Sequence, residues 1–199
     1  MADKLTLTDI ADLRAYERER TGFRSRVIAL KKRRRVHVGP IITLVFENRD
    51  TIRFQIQEMA RVEKLLTDDS IQDELDTYNT LIPGAGQLCA TLFLELTEEA
   101  QMRTWLPKLV SIEGSVALQV GEDDAAVVLR AQPEAAHAEL LTREETTASV
   151  HYLWWDLTPE EVALVEAGPV RIVIDHPEYQ HQTQLHDETL AELHSDLRG

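Results

Sequence analysis

Histidines and carboxylates near the C-terminus form the first set of side chains that could do chemistry. His176, His181 and His186 recur at intervals of five residues, with Glu178 and Asp187 beside them. Imidazole and carboxylate groups are suitable ligands for zinc, iron or manganese. A step of five residues, however, places side chains on different sides of a helix and on opposite faces of a strand. The spacing therefore favours surface or hydrogen-bonded histidines over a preformed metal site.

A metal-dependent enzyme is the alternative that these histidines leave open. Its ligands would be His151, His176 or His181, combined with Glu47 or Glu58 from a distant part of the chain. A metal site needs at least three such ligands brought together by the fold. The sequence contains no nucleophile-elbow, dinucleotide-binding or kinase motif. It therefore identifies no catalytic residue and no cofactor, and an enzyme is not the favoured interpretation.

A second polar set follows the strand-like run at residues 41–46. It comprises Glu47, Arg49, Asp50, Arg53, Gln57 and Glu58. Positions 49, 53 and 57 share one face of a helix, and positions 50 and 58 share the next. Arginines beside carboxylates either orient an anionic ligand or form a structural network, in which exposed pairs contribute only about 0–1 kcal/mol each. Both interpretations remain open at this point.

A run of cations near the N-terminus is the third set. Its members are Arg24, Arg26, Lys31, Lys32, Arg33, Arg34 and Arg35. Cations at a helix C-terminus interact favourably with the helix dipole, by less than about 1 kcal/mol each, which is a purely structural explanation. The functional explanation is a surface that binds an acidic partner. No aromatic residue interleaves the run, which disfavours nucleic acid as that partner and leaves it the third hypothesis.

Charge is distributed unevenly along the chain. Its formal net charge is −14, yet residues 1–66 carry 15 Lys and Arg against 9 Asp and Glu. Such asymmetry bears on partners and on electrostatic steering rather than on fold. The basic and acidic parts either face each other, within one molecule or between two copies, or the basic end docks an acidic partner protein. We expect a protein partner, either a second protein or a second copy.

The segment 36–66 provides the elements that position the polar side chains. Residues 41–46 are rich in β-branched and aromatic side chains and predict a strand. Asn48 or Asp50 can cap the helix that follows. Ile52, Ile56, Met59 and Leu66 predict its core-facing stripe. Helices are also predicted over about 8–20 and 22–34, with a break at Thr21 and Gly22, so that residues 1–35 form a basic helical arm.

The remaining chain predicts an α+β fold. Further strands are expected over 88–96, 116–120, 125–129, 148–155 and 170–174. Helices and strands do not alternate regularly and a hairpin lies in the middle, so we expect a single domain, residues 1–199, with a mixed, largely antiparallel sheet of about six strands and flanking helices. A polar connection is predicted over residues 132–146, and a turn with a final helix over residues 176–199. Because side chains alternate along a strand, Trp154 and Trp155 are expected to point to opposite faces.

The amino-acid composition limits the class of protein to which the chain can belong. Hydrophobic residues make up 43% of the chain, which favours a packed core. No apolar run approaches the roughly 20 residues that span a bilayer, and the N-terminus lacks a signal-peptide pattern. We therefore expect a cytoplasmic protein that does not associate with membranes. The lone cysteine, Cys89, cannot form an internal disulfide or a cysteine-ligated cluster.

Four segments resemble one bacterial family: FRSRVIALKKRRRVHVGP (23–40), VFENRDTIRFQIQEMARVE (45–63), ELDTYNTLIPG (74–84) and ATLFLEL (90–96). The His151-Tyr152 pair and the Asp175-His176-Pro177 turn are also similar to it. The family is the uncharacterised domain-of-unknown-function family three-five-zero-one. Its members are often encoded beside rubrerythrin-like and iron–sulfur oxidoreductase-like proteins, so the resemblance implies an accessory role with a redox partner. Any electron carrier would then reside in that partner.

Overall fold

A computed structural model describes residues 4–122, 126–134 and 146–199 of the protein. Nine strands occur in these residues. They are β1 (Arg35–Val38), β2 (Ile42–Glu47), β3 (Gln87–Leu94), β4 (Val116–Val120), β5 (Val127–Arg130), β6 (Gln132–Pro133), β7 (Val150–Asp156), β8 (Val170–His176) and β9 (Tyr179–Gln184).

The strands form two antiparallel sheets. The five-stranded sheet has the order β1-β2-β3-β7-β6, and the four-stranded sheet has the order β5-β4-β8-β9. The chain passes from one sheet to the other between β5 and β6, which are separated by Ala131 alone. The predicted antiparallel character is confirmed, but the strands divide between two sheets instead of forming one.

The main core lies between the two sheets. One cluster of buried side chains includes Leu44 and Leu92 from the five-stranded sheet and Leu118 and Ile172 from the four-stranded sheet. All six residues of β2 are buried, because helices cover the outer face of its sheet. A two-sided environment explains why the run at 41–46 is apolar at nearly every position.

Six α-helices occur in the described residues. They are α1 (Leu13–Arg34), α2 (Arg49–Glu63), α3 (Asp68–Tyr78), α4 (Glu99–Trp105), α5 (Pro159–Ala167) and α6 (Asp187–Arg198). Asn48 caps α2, accepting a hydrogen bond from the Thr51 amide at 3.0 Å. The α+β class is therefore confirmed, with α2 and α3 packed on the outer face of the five-stranded sheet through Ile52, Ile56 and Leu75.

Residues 13–34 form one continuous helix, α1, where two were predicted over about 8–20 and 22–34, and a separate 3-10 turn at Leu7–Asp9 precedes it. A glycine inside a helix costs about 1 kcal/mol relative to alanine, and the burial of Phe23 and Val27 beside Gly22 offsets that cost. Tyr16 and Phe23 pack edge to face, with ring centroids 6.3 Å apart. This buried stripe rests on α2 and determines which side of α1 faces solvent.

A tight turn at Gly39 joins β1 to β2 within the five-stranded sheet and lies against β9 of the four-stranded sheet. Its φ of 71° lies in the left-handed region, and a β-carbon there would come within 2.5 Å of the Tyr179 hydroxyl and 2.6 Å of the His181 ring. The same hydroxyl donates to the Val38 carbonyl at 2.7 Å and accepts from the Ile41 amide at 3.2 Å. Glycine is thus required both by the backbone angle and by the closeness of β9.

The structure differs from the sequence predictions at one strand and at one core position. Strand β9 occupies 179–184, between the predicted turn and the final helix. Most of the predicted polar connection, residues 135–145, lies outside the described residues. The predicted core position Leu66 lies beyond the end of α2 and is 80% exposed, whereas Ile52 and Ile56 are fully buried.

Among the described residues, no helix has the length and apolar content required to cross a bilayer.

Candidate functional site

The basic run at the end of α1 divides into buried and exposed cations. Arg34 is 1% exposed. Its two terminal nitrogens donate to the Asp196 carboxylate of α6, both at 2.7 Å, and its Nε donates to Glu192 at 3.2 Å. Arg33 donates to the same Glu192 at 2.7 Å, and Arg35 pairs with Glu95 at 3.3 Å. These three arginines therefore have partners within the molecule.

Burial affects the pKa values of both Arg34 and Asp196. It raises the pKa of Asp196, because desolvation of the carboxylate outweighs the charge of Arg34 beside it. Burial also opposes the charge on Arg34, but the hydrogen bonds and charges of Asp196 and Glu192 outweigh that effect and keep its pKa above the ordinary value. Arg34 is thus a structural cation that fixes α6 against the end of α1.

Four cations of the run have no carboxylate partner among the described residues, and we call them together the cationic patch: Arg24, Arg26, Lys31 and Lys32. Arg24, Arg26 and Lys32 are exposed and Lys31 is half-buried. Ile28 lies one turn from Arg24, Lys31 and Lys32 on the helix surface and is 50% exposed. Arg26 lies about 160° around the helix from Ile28, with its guanidinium carbon 5.8 Å from the centroid of the Phe23 ring.

The polar corner after β2 is organised around the buried Glu47, which is 2% exposed. Its carboxylate accepts hydrogen bonds from the Thr51 hydroxyl at 2.5 Å and from the Thr91 hydroxyl at 2.6 Å. Cys89 lies opposite Glu47 in the strand register, and burial raises the pKa of its thiol well above the ordinary value. Cys89 is therefore a protonated core residue, and Glu47 is a satisfied acid at the strand end.

The predicted helical face at positions 49, 53 and 57 is present, and it holds the N-terminal segment. Arg49 donates to Asp9 at 2.7 Å, and Arg53 donates to the backbone carbonyl of the same residue at 2.7 Å. Gln57 bonds both backbone groups of Ala11, at 2.8 and 3.0 Å. Asp50 lies exposed in the first turn of α2. These contacts assign Arg49, Arg53 and Gln57 to the packing of residues 9–11.

Glu58 joins the two long helices. It accepts from Tyr16 at 2.6 Å and from two nitrogens of Arg20 at 2.7 and 2.8 Å. The hydrogen bonds from Arg20 lower the pKa of Glu58 to about 2, against the opposing effect of burial. Burial raises the pKa of Tyr16 above its ordinary value, with the Glu58 hydrogen bond acting in the same direction.

This depressed pKa predicts acid-sensitive stability. A carboxyl whose pKa is lower in the folded state stabilises the protein above its unfolded pKa, and that contribution is lost as pH falls. We expect the free energy of unfolding to fall by roughly 2 kcal/mol between pH 4.5 and pH 2 through Glu58, after allowance for its partial exposure. Urea unfolding across this range, followed by circular dichroism, measures the loss.

Glu58→Gln is the variant that tests this assignment, because it keeps the shape of the side chain and removes the titrating group. We expect the variant to be less stable than the wild type at pH 7 and to show a flatter stability profile between pH 4.5 and pH 2. Glu99→Gln, in the exposed pair with Arg103 on α4, serves as the control. Parallel pH profiles for the wild type and Glu58→Gln would contradict the assignment.

The candidate histidines lie in separate environments. His151 of β7 is buried, its Nε2 lies 2.9 Å from the Thr147 hydroxyl, and burial lowers its pKa. His176 bonds the Val110 carbonyl at 3.2 Å, whereas His181 packs against Tyr179 with ring centroids 4.4 Å apart and the rings tilted by 55°. The structure does not bring the three together. Among the described residues, no group of three or more His, Cys, Asp or Glu side chains is arranged to hold a metal ion.

Two features of the surface escaped the sequence interpretation. One is the pairing of Glu192 and Asp196 with Arg34, since no local pattern connects residues 158 or more positions apart. The other is the exposure of Val62 and Leu66, at 68% and 80%. The sequence did contain a signal for the exposure of Leu66. This residue falls ten positions after Ile56, so it could lie on the buried face of α2 only if the helix extended that far, and α2 ends at Glu63.

Comparisons with known proteins give a relative and a family. The fold closely resembles the crystal structure of a novel protein of unknown function from Burkholderia pseudomallei K96243, with a TM-score of 0.88 and 37% sequence identity over 98% of this chain and 99% of that chain. No curated protein matches the sequence. The model of one family, described as protein of unknown function (DUF3501), matches residues 4–197. The chain belongs to the DUF3501 family.

Proposed function

We propose that the protein is a cytoplasmic accessory protein that docks an acidic surface of a partner protein through the cationic patch. The observation that carries the proposal is that Arg24, Arg26 and Lys32 are exposed, and Lys31 is half-buried, without carboxylate partners among the described residues. The family resemblance makes a redox protein of the rubrerythrin-like or iron–sulfur oxidoreductase class the first partner to test. The electron carrier would belong to that partner.

The local charge supports this proposal. Residues 24–35 contain seven Lys and Arg and no Asp or Glu, in a chain whose net charge is −14. Three of the seven are neutralised by Glu192, Asp196 and Glu95, and the remaining four face solvent from one end of α1. A concentrated positive field on an acidic protein orients it toward an acidic surface and raises the rate of productive encounters.

Ile28 gives the cationic patch an apolar centre. Interfaces typically combine a desolvated apolar centre with a polar or charged rim. The half-exposed Ile28 supplies the first, and Arg24, Lys31 and Lys32 around it supply the second. We expect the cations to govern the association rate and Ile28 to contribute to the lifetime of the complex.

Charge reversal tests the proposal. In Lys31→Glu/Lys32→Glu, the two new carboxylates offset the charges of Arg24 and Arg26, so the patch loses its net positive charge while the buried Arg34 is untouched. We expect the dissociation constant for a recombinant rubrerythrin-like or iron–sulfur oxidoreductase protein of the same organism to rise at least about tenfold. Biolayer interferometry at about 50 mM and about 500 mM salt measures the change, and the wild-type complex should weaken at the higher salt.

Arg103→Glu/Lys108→Glu is the matched control, because it changes the net charge equally at two exposed positions outside the cationic patch. This control should bind like the wild type. Equal binding by both double variants, or no complex at either salt concentration, would refute the proposal. Tight, salt-sensitive binding of a double-stranded DNA probe instead of the protein partners would assign the patch to nucleic acid and would also refute it.

A further inference from the structure

A second exposed surface lies at the C-terminal end of α2, and we call it the acid-rimmed patch. Its apolar centre consists of Val62 and Leu66, which are 68% and 80% exposed. Three exposed carboxylates flank these residues in the chain: Glu63, Asp68 and Asp69. Lys64 is the single cation in residues 63–76, against six Asp and Glu. Large apolar side chains this exposed, with a charged rim, are typical of an interaction site.

A recess opens beside Leu66. Its volume is about 150 Å³, and its apolar lining comes from the N-terminal segment and from the α2–α3 junction, including Ile10, Leu13, Leu65, Leu66 and Ile71. A recess of this size accepts one small apolar group against its aliphatic side chains, and Asp12 and Asp68 add carboxylates to its lining. The acid-rimmed patch is therefore suited to an aliphatic side chain that is surrounded by cations.

The cationic patch of the same chain has this composition, with Ile28 at its centre. The two patches lie at opposite ends of the layer that α1 and α2 form. Tyr16 of α1 contacts Glu58 of α2, and Phe23 contacts Phe54 with ring centroids 5.8 Å apart, so the helices run antiparallel. The half of α1 after Phe23 extends past the start of α2, whereas Val62 and Leu66 lie at the far end of α2.

We infer that two copies of the chain associate about a two-fold axis, each placing Ile28 of its cationic patch on the acid-rimmed patch of the other. An antiparallel arrangement of two such layers brings both pairs of patches into contact at once. The interface is then self-complementary and closed, as in most symmetric dimers. The net charges of residues 24–35 and 63–76 are opposite in sign, so both contacts are attractive.

The inference deepens the proposed function, because it rests on the cationic patch being a docking surface and adds a competing occupant for it. The dimer and the complex with an acidic partner would use the same cations. Formation of the partner complex would then dissociate the dimer. The acid-rimmed patch takes part only in self-association, which allows the two proposals to be tested separately.

Analytical ultracentrifugation of the full-length protein at about 100 µM measures self-association. We expect a dimer at about 50 mM salt and a monomer at about 500 mM salt. Leu66→Glu places a carboxylate in the acid-rimmed patch and should give a monomer at both concentrations while retaining partner binding. Leu164→Glu is the control, because Leu164 is 43% exposed on α5, outside both patches.

Charge exchange provides the sharper test. Arg24→Glu/Lys31→Glu/Lys32→Glu changes the net charge of the four open cations from +4 to −2, and Glu63→Lys/Asp69→Lys changes that of the three flanking carboxylates from −3 to +1. Each variant alone faces like charges at both contacts and should be monomeric. In an equimolar mixture, the contact between the two reversed patches and the contact between the two unaltered patches both regain opposite charges, so a mixed dimer should form.

Three results would overturn the inference. The first is a wild type that remains monomeric at low salt, because the acid-rimmed patch would then not bind a second copy of the chain. The second is a dimer that Leu66→Glu does not weaken by at least about tenfold. The third is a mixture of the two charge-reversed variants that stays monomeric while both retain the far-ultraviolet circular dichroism of the wild type. Partner binding by Leu66→Glu would still distinguish a failure here from a failure of the proposed function.

Discussion

Arg34→Met should lower the free energy of unfolding at pH 7 by about 3–5 kcal/mol, a large part of the stability of an ordinary domain. Methionine retains much of the length and apolar volume of the arginine, so the loss comes from the charge. Without Arg34, the carboxylate of Asp196, 10% exposed, loses its cation and lies beside Glu192, which is 18% exposed and retains Arg33. Urea unfolding followed by circular dichroism measures the difference.

The pH dependence of this difference identifies its cause. Burial already raises the pKa of Asp196 in the folded protein, and loss of the guanidinium should raise it further. A carboxyl with a raised folded pKa contributes most stability below its unfolded pKa and loses that contribution as pH rises through the folded value. We therefore expect the deficit of Arg34→Met to be smaller at pH 4.5 than at pH 7.

Arg33→Met is the matched control, because Arg33 pairs with the same Glu192 but has a side chain that is 40% exposed. Exposed ion pairs contribute about 0–1 kcal/mol. Losses of equal size in the two variants, or a deficit for Arg34→Met that does not depend on pH, would contradict the role assigned to the buried pair.

Trp155→Ala should destabilise the protein by about 3–5 kcal/mol, because it removes the largest fully buried side chain. The ring packs on Phe46 with centroids 5.9 Å apart, and its Nε1 donates to the Leu129 carbonyl at 3.0 Å. Trp155 belongs to the five-stranded sheet and Leu129 to the four-stranded sheet. The substitution thus leaves a cavity between the sheets and a buried carbonyl without its donor.

Trp154→Ala is the control, because it removes the neighbouring tryptophan of β7 and leaves the contact between the sheets in place. Trp154 points to the opposite face, where it is partly buried under α2 and α3. We expect a loss below about 2 kcal/mol, in proportion to the smaller area removed from water. Urea unfolding monitored by circular dichroism avoids the change in fluorescence that both substitutions cause. An equal loss in the two variants would show that Trp155 has no special role between the sheets.

Local patterns in the sequence predicted the parts of the fold that depend on neighbouring residues. The strand at 42–47, the Asn48 cap and the amphipathic α2 follow from composition and helical spacing, as does the alternation of Trp154 and Trp155. The shared face of Arg49, Arg53 and Gln57 followed from the same periodicity. What these three side chains contact did not, because residues 9–11 are more than 40 positions away.

Features set by distant residues could not be predicted in this way. The two-residue period of a strand shows which side chains share a face, but not which sheet the strand joins. Strand β9, with the sequence YQHQTQ, is a polar edge strand and lacks the apolar alternation that identifies strands. The burial of Arg34 depends on α6, at the other end of the chain, so the sequence could not show which cations of the basic run are buried.

The central claim is that the four cations left open on α1 determine which protein surface this chain approaches. The association rate constant with a rubrerythrin-like or iron–sulfur oxidoreductase protein, measured by stopped flow over about 20–500 mM salt, tests it most directly. We predict a steep fall with salt for the wild type, and a slower rate with little or inverse salt dependence for Lys31→Glu/Lys32→Glu. Identical rates and salt dependence for the two proteins would contradict the claim.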